Sequence, residues 1–327
     1  MKVLITGVTG IVGSSISKLM LEAGHRVNGL ARPDTDVSPL RALGVTIHRG
    51  DVAKLEDIVA AGHDCEALFH CAAVLGGPNA DPVQMEAANV LGTTNALEAA
   101  RTLSMRRVIA FGSPVIFDNS GGPYTERSPL VDATTAAGDP YTRTKTEAFR
   151  RSRKCVEAGQ DIVMVVPGGI FGPTPMIRRS MTPPSNNLRI VWAIRREVRD
   201  YIDFPVPWSY SEDVAQCAVA ALDKGRAGDV FLAFGRPEDA TGMAGFMDRV
   251  CRVAGINHRV KALGPQELDS PEAMKRFGPT LINKAKLKHP TSLWDHRHTL
   301  SKLGLEPLSM DEGISRTIHA LQEAKLL

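Results

Sequence analysis

The sequence predicts an α/β fold: a doubly wound parallel sheet with a smaller, mixed C-terminal domain. Three observations carry that expectation. The first 170 or so residues alternate short apolar runs with helical patterns, the order that a parallel sheet covered on both faces requires. A glycine-rich turn joins the first apolar run to the first helical pattern. After Pro167 the alternation gives way to a proline-rich stretch and then to further helical patterns.

Residues 2–6 are an apolar run that Gly7 ends, and they predict a buried strand. Residues 11–23 carry apolar side chains at 12, 16, 19 and 20, a helical spacing, and Gly24 stands where a helix C-cap belongs. Strands are expected at 26–31 and 45–48, a short helix at 55–61, and a fourth strand at 67–72. Residues 82–103, rich in Ala, Leu and Glu, predict one long helix. A strand at 107–111, a helix at 139–157 and a strand at 161–166 complete the alternation. Prolines 167, 173, 175, 183 and 184 make residues 168–184 a loop or lid rather than a core element. Helices are then expected at 187–196, 214–222, 246–254 and 310–323, with a further strand at 229–234.

Composition excludes several classes. A chain of 327 residues, 43% of them hydrophobic, can bury a large core in about two domains or one large unit. Its 39 basic and 36 acidic side chains leave a net charge of +3, too mild to argue for a nucleic acid partner. Five cysteines, odd in number and without a C-x-x-C pair, point to reduced thiols. The N-terminal apolar run is too short for a signal peptide, and no run reaches the ~18 residues of a membrane span. A cytoplasmic protein is expected, with neither a membrane nor a nucleic acid as partner. Residues 275–302 are basic and include His289, His296 and His298. No Cys or placed carboxylates complete a zinc set there, so the stretch reads as surface and no metal is expected.

The segment Thr6-Gly7-Val8-Thr9-Gly10-Ile11-Val12-Gly13 lies between the first strand and the first helix. In a doubly wound sheet a dinucleotide pyrophosphate sits at this turn. Gly7 permits a sharp exit from the strand, Gly10 lets backbone N–H groups approach phosphates, and Gly13 lets the helix pack on the strand. The helix N-terminus adds partial positive charge. The second strand ends at Ala31-Arg32. An acid there would bind a ribose 2′-hydroxyl; Arg32 instead suits a 2′-phosphate, which favours NADP, while Asp34 and Asp36 keep NAD open. Asp51, in Gly50-Asp51-Val52, reads either as an acceptor for an adenine amino group or as a turn residue.

Tyr141 and Lys145 fall four residues apart on an expected helix and so share a face. A phenol with its ordinary pKa near 10 is a poor acid–base at neutral pH, and a neighbouring cation lowers that value. Ser113 ends the fifth strand, held extended by Pro114, and suits either a hydrogen bond to a substrate oxygen or a turn.

Together these residues resemble the extended branch of the short-chain dehydrogenase/reductase superfamily, the NAD(P)-dependent epimerase/dehydratase-like enzymes built on a Rossmann sheet. Thr6–Gly13 looks like the branch's T-G-x-x-G-x-x-G, and Phe69-His70-Cys71-Ala72-Ala73 like its fourth-strand motif. Asn89-Val90-Leu91-Gly92-Thr93-Thr94-Asn95-Ala96-Leu97-Glu98-Ala99-Ala100 matches its long-helix signature. Pro167–Pro173 and Ser211–Ala215 match later landmarks. The resemblance implies that Tyr141 is the general acid–base, that Lys145 lowers its pKa and holds the nicotinamide ribose, and that Ser113 orients the substrate oxygen. It implies that Asn89 supports a proton-relay water or fixes the helix backbone. It implies cofactor contacts from Thr6, Gly7, Thr9, Gly10, Ile11, Gly13, Arg32, Asp51, Val52, Cys71, Ala72, Ala73, Lys145, Pro167 and Gly168. Residues 1–170 plus 213–235 would bind the dinucleotide, and 171–212 plus 236–327 the substrate. A homodimer through helices in 82–103 and 139–157 is also implied.

Departures from the pattern narrow the reaction. Pro114-Val115 stands where dehydratases of the branch carry an Asp-Glu pair. Phe204–Trp208 stands where nucleotide-sugar enzymes often carry an arginine for the diphosphate. Val166 replaces a common arginine and Gly112 a common serine. Met176, Ile177, Trp192, Tyr201, Trp208 and Tyr210 are candidates to line a substrate pocket, with core packing as the alternative for each. Arg178, Arg179, Arg195, Arg196 and Arg199 read as a solvated helix face or as ligands for a carboxylate or phosphate. The expected activity is an NADP-preferring oxidoreductase that interconverts a small-molecule ketone or aldehyde and an alcohol. The alternative is an NAD-dependent sugar or nucleotide-sugar epimerase or dehydrogenase. Intact Tyr141 and Lys145 argue against a non-enzymatic cofactor sensor.

Overall fold

The computed structural model describes residues 1–77, 80–118, 120, 122–286 and 294–327. Strands β1 (Lys2–Thr6), β2 (Arg26–Ala31), β3 (Thr46–Arg49), β4 (Ala67–His70), β5 (Arg107–Phe111) and β6 (Ile162–Pro167) come first. The short strands β7 (Gly169–Phe171), β8 (Asp200–Tyr201), β9 (Pro205–Val206) and β10 (Trp208–Tyr210) precede β11 (Val230–Ala233). Among the described residues, seven strands form one parallel sheet in the order β11-β6-β5-β4-β1-β2-β3. This is the predicted doubly wound Rossmann sheet. The chain order reverses between β1 and β4, which opens a crevice at their C-terminal ends.

The helices are α1 (Ile11–Glu22), α2 (Ser38–Leu43), α3 (Leu55–Ala61), α4 (Pro82–Met85), α5 (Gly92–Thr102), α6 (Ala133–Ala137) and α7 (Pro140–Glu157). After the sixth strand follow α8 (Asn186–Ile194), α9 (Ser211–Lys224), α10 (Met243–Val253), α11 (Pro265–Leu268), α12 (Pro271–Lys286), α13 (Arg297–Leu303) and α14 (Met310–Glu323). None of the described helices is long and apolar enough to cross a membrane.

The pleat of β1 shows why its sequence is apolar throughout. Val3 and Ile5 face one layer, with Ile16 and Met20 of α1 and Val214 and Ala218 of α9. Leu4 faces the other, with Ala96 and Ala100 of α5 and Ile58 of α3. Both faces are covered, so the strand reads as a continuous apolar run rather than an alternating one. A third core joins Ile190 and Val191 of α8, Trp208, Phe246 and Met247 of α10, and Ile314 and Leu321 of α14.

Three expectations need correction. The helix expected over 82–103 is interrupted by a π-helical turn, Glu86–Leu91, between α4 and α5. The stretch 168–184 is not a lid free of the core: it contains β7, and Phe171 and Met176 are buried. The basic stretch 275–302 is only partly surface. Lys275, Arg276 and Arg297 are exposed, whereas Phe277, Ile282, Trp294, His296 and Thr299 are buried, and Thr299 Oγ1 accepts from Leu232 N of β11 at 3.0 Å. Lys288 and His289 lie outside the described residues.

The junction of β6 with β7 leaves no room for a side chain. A Cβ on Gly168 would lie 1.6 Å from the carbonyl oxygen of Pro207. Gly168 N donates to Ser209 Oγ at 2.9 Å, and that hydroxyl donates to Ala233 O at 2.6 Å, which stitches β10 to the exits of β6 and β11. Gly168→Ala is expected to destabilise the protein by about 3 kcal/mol, because backbone and not a flexible side chain must move. Urea unfolding checks this; an unchanged midpoint contradicts it.

Candidate active site

The turn after β1 lies flat against the exit of β4. Gly7 has a φ of 65°, and a Cβ there would sit 2.6 Å from Ala72 N. A Cβ on Gly13 would sit 2.5 Å from Gly7 O. Gly10 N donates to Gly7 O at 2.9 Å and Gly10 O accepts from Ser14 N, so the loop runs directly into α1. Among the described residues no side chain caps α1, and its first turn holds no acid, so its leading N–H groups are left to an acceptor from outside the helix. The side-chain-free cradle beside Ala72 fits the pyrophosphate of a dinucleotide.

The ends of β2 and β3 form the next part of the crevice. Arg32 is exposed and makes no ion pair among the described residues. Arg49 Nη1 holds the loop after it by donating to Arg32 O and Thr35 O, both at 2.8 Å. Asp36 accepts from both Ser38 N and Ser38 Oγ, bonds that hold its carboxyl below the usual carboxylate range. Asp51 Oδ1 accepts from Ala53 N at 2.9 Å. Val52 O accepts from Asn95 Nδ2 at 3.0 Å, and its side chain seats against Gly92.

Ser113 follows β5 in an extended conformation, φ −154° and ψ 145°, with 8% of its surface exposed. Helix α7 starts where its sequence dictates. Asp139 caps it, accepting from Thr142 N at 3.0 Å and Thr142 Oγ1 at 2.6 Å, and Pro140 occupies the first turn. This cap sets Tyr141 in the first turn and Lys145 one turn on, buried. Lys145 Nζ donates to Phe111 O at 2.6 Å, and burial pushes its pKa down to about 8, with Cys71 beside it opposing the shift. Burial raises the Tyr141 phenol above its ordinary value; the Ser113 hydroxyl acts the other way, and Asp139 adds to the rise. Tyr141 and Lys145 share a helix face, with the ammonium held by the β5 carbonyl.

Asn89, in the π-helical turn, has its side chain fully engaged. Oδ1 accepts from Val74 N at 2.8 Å; Nδ2 donates to Val74 O at 3.0 Å and Thr144 Oγ1 at 3.1 Å. It therefore clamps the strand-like exit of β4 to α7. Beyond Val74 the chain crosses over the phenol: a Cβ on Gly76 would lie 3.1 Å from Tyr141 Cβ, and one on Gly77 4.0 Å from Pro184 Cγ. Val74, Gly76 and Thr144 are contacts that no periodicity or motif pointed out. His70, the neighbour of Cys71, pairs through Nδ1 with Thr6 Oγ1 at 2.8 Å and through Nε2 with Thr93 Oγ1 at 3.1 Å, and burial pushes its pKa down to about 3.

Residues 3–233 match the NAD dependent epimerase/dehydratase family. The chain belongs to that family. It is an NAD(P)-dependent enzyme of the extended short-chain type, an oxidoreductase in the general sense. Sterol demethylase protein B of Methylococcus capsulatus is 28% identical over 240 residues, 72% of this chain and 70% of that protein. A putative dihydroflavonol 4-reductase of Synechocystis is 23% identical over 331 aligned residues, covering 97% of this chain and 94% of the other. Among solved structures, UDP-glucuronic acid 4-epimerase from Bacillus cereus, in complex with UDP-glucuronic acid and NAD, superposes with a TM-score of 0.78. It shares 18% identity over 99% of this chain and 100% of that one, so the likeness is one of fold.

The two departures from the family pattern at Gly112 and Val166 are neighbours. A Cβ on Gly112 would lie 2.9 Å from Val166 Cγ2, so the missing side chain on β5 makes room for the valine on β6. The aromatic candidates for a substrate pocket need correction. Trp208 stacks on Phe246 at 4.0 Å and its Nε1 donates to Thr241 O at 3.0 Å. Tyr210 meets Phe171 edge-on, and Tyr201 packs against Phe277 between Arg189 and Arg276. Met176 belongs to the sheet's own core. All four are at most 7% exposed and act as packing residues, because large rings supply most of the apolar area in a small core. The crevice beside Trp208 and Tyr210 has a volume of about 10 Å³, room for one water. Trp192 and Ile177 are half-buried at the edge of the same core.

The native state releases the Lys145 proton at about 8, whereas the unfolded chain keeps it to 10.5, the ordinary lysine value. Between these values the unfolded chain binds more protons, so this group makes stability rise with pH. Wild-type protein is therefore expected to gain stability relative to Lys145→Met between about pH 8 and about pH 10. Urea unfolding of both proteins across that range checks the slope; parallel curves contradict it.

Proposed function

We propose that this enzyme is an NADP-preferring reductase that interconverts a ketone or aldehyde and an alcohol. The observation that carries the reading is the choice of polar groups beside Tyr141. They are the Ser113 hydroxyl and Asp139, and the Asp139 carboxylate is committed to the α7 cap. Ser113 is followed by Pro114 and Val115, so no acid stands next to it for the elimination of water. Two arginines of the C-terminal half that a nucleotide diphosphate could recruit already have acceptors. Arg189 donates to Ser185 O, Asn186 Oδ1 and Tyr201 Oη, and Arg276 pairs with Asp200.

In the reductive direction Tyr141 gives its phenolic proton to the substrate carbonyl oxygen, to which Ser113 Oγ donates a hydrogen bond. A reduced nicotinamide, when bound, supplies the hydride to the carbonyl carbon. Lys145 holds the nicotinamide ribose and lends positive charge to the forming phenolate. Asn89 keeps Val74 and α7 in register as a positioning residue. Thr6, Gly7, Thr9, Gly10, Ile11 and Gly13 bind the pyrophosphate, Arg32 the 2′-phosphate, and Asp51 and Val52 the adenine. Cys71, Ala72, Ala73, Pro167 and Gly168 surround the nicotinamide end. Residues 1–170 plus 213–235 form the dinucleotide-binding part and the remainder the substrate-binding part. Two copies pair through α5 and α7, where Leu91, just before α5, is 45% exposed.

Tyr141→Phe is expected to lower kcat by about 100-fold or more while the dissociation constant of NADPH stays the same. Steady-state kinetics and a fluorescence titration check both, and near-wild-type turnover overturns the mechanism. A panel of carbonyls, alcohols and nucleotide sugars followed by nicotinamide absorbance checks the reaction class. Net cofactor consumption with a ketone or aldehyde is expected; product formed from a sugar without net consumption indicates epimerisation instead.

A further inference from the structure

Between Tyr141 and Lys145, α7 carries a hydroxyl that takes no part in the proton transfer. Thr144 is fully buried. Its Oγ1 shares one hydrogen between Pro140 O at 2.9 Å and Tyr141 O at 3.1 Å, and it accepts from Asn89 Nδ2 at 3.1 Å. A threonine that bonds back to the preceding turn of its own helix needs no further partner. This one has a second because Asn89, in the π-helical turn Glu86–Leu91, reaches it. The same turn meets α7 again where Arg143 Nη2 pairs with Glu86 Oε2 at 2.8 Å. That ion pair is about half exposed, so the buried Asn89–Thr144 bond is the firmer of the two ties.

The rest of the Asn89 carboxamide holds Val74 by both its N–H and its C=O. Two residues on, the main chain at Gly76 lies along the catalytic side chain. A Cβ there would be 3.1 Å from Tyr141 Cβ, 3.2 Å from Cγ and 3.6 Å from Cδ1. Main chain, not a side chain that could yield, therefore bounds the ring on that side. The contacts close on themselves: Tyr141 O to Thr144, Thr144 to Asn89, Asn89 to Val74, and Gly76 back to the Tyr141 ring. Removing the Thr144 hydroxyl leaves a buried N–H of Asn89 unpaired and opens the circuit.

We infer that Thr144 is a positioning residue for Tyr141, acting through Asn89 to set where the Val74–Gly76 main chain lies against the phenol ring. The inference rests on the acid–base role proposed above for Tyr141. The test compares Thr144→Val, which removes the hydroxyl at nearly constant shape, Thr144→Ser, which restores it, and Gly76→Ala. Gly76→Ala disturbs the same contact from its other end at a half-buried site, so a Thr144→Val protein that fails to fold does not end the test. The chain has four tyrosines, so NMR of ring-labelled tyrosine, with and without NADPH, reads the contact directly; the Tyr141 resonance is the one missing from Tyr141→Phe. Thr144→Val is expected to move that resonance and leave those of Tyr124, Tyr201 and Tyr210 in place. It should lower kcat about tenfold, the scale of a sub-ångström misplacement, with KM and the NADPH dissociation constant unchanged. Thr144→Ser should restore both the resonance and kcat, and Gly76→Ala should move the same resonance and lower kcat. If Thr144→Val lowers only the thermal midpoint, with the Tyr141 resonance and the kcat per NADPH-binding site unchanged, Thr144 is merely structural and the inference is overturned. An unmoved Tyr141 resonance in Gly76→Ala overturns it as well. Near-wild-type turnover by Tyr141→Phe instead removes the acid–base reading, and the positioning role with it, whatever the resonances show.

Discussion

At the switch point between β1 and β4, backbone meets backbone with no space for a single Cβ. Gly7 lies on Ala72, and Gly13 lies on Gly7, so the turn after β1, the start of α1 and the exit of β4 form one rigid unit. Helix α7 is tied to that unit through backbone as well. From Ala72 the chain runs to Val74, whose N–H and C=O are both taken by Asn89, and the same amide reaches Thr144 on α7. Tyr141 and Lys145 thus sit on a helix whose position follows from the glycine turn after β1 through one chain of contacts. Substitutions that add a side chain at the turn would disturb the far end of the site through this path.

The polar groups along the path are buried, and burial decides their protonation. His70 is held neutral, with both ring nitrogens paired to threonine hydroxyls. Lys145 is pulled toward neutrality and Tyr141 away from phenolate. Each shift comes from the same cause, the cost of a charge out of water, and each leaves the site less charged than its residue types suggest. An anion and a ribose placed in the crevice would supply the partners that Lys145 lacks beyond the Phe111 carbonyl.

The sheet was largely legible in the sequence because its strands are buried on both faces and its helices are long and periodic. Lys2–Thr6 and Met310–Glu323 are such cases. Helix α2 was not, since six residues with a proline in the first turn carry no usable period. The π-helical turn escaped because one extra residue per turn changes hydrogen bonding without changing composition. Tyr141 and Lys145 could be placed on one face from spacing alone. Which acceptor the lysine takes depends on β5, 34 residues away, and no local pattern records it. Trp208 and Tyr210 misled for a related reason: an aromatic residue packs a small core as well as it lines a pocket.

The stretch after β6 read as a loop because prolines mark irregular backbone, and irregular backbone was equated with exposure. The structure separates the two properties. Phe171 belongs to the core of the C-terminal half, and Met176 to the core of the sheet. A segment of six residues therefore reaches both cores, and the turn that follows is fixed by the second anchor rather than by regular secondary structure. That turn sends Arg178 to the end of α14, where its guanidinium donates to Ala324 O. A strap held at both ends cannot shift at one without straining the other, because the packed layers at its anchors leave no slack. Proline placed on such a strap lowers the entropy that fixing it costs, so its abundance here suits a segment that must hold its shape without the help of a sheet or a helix.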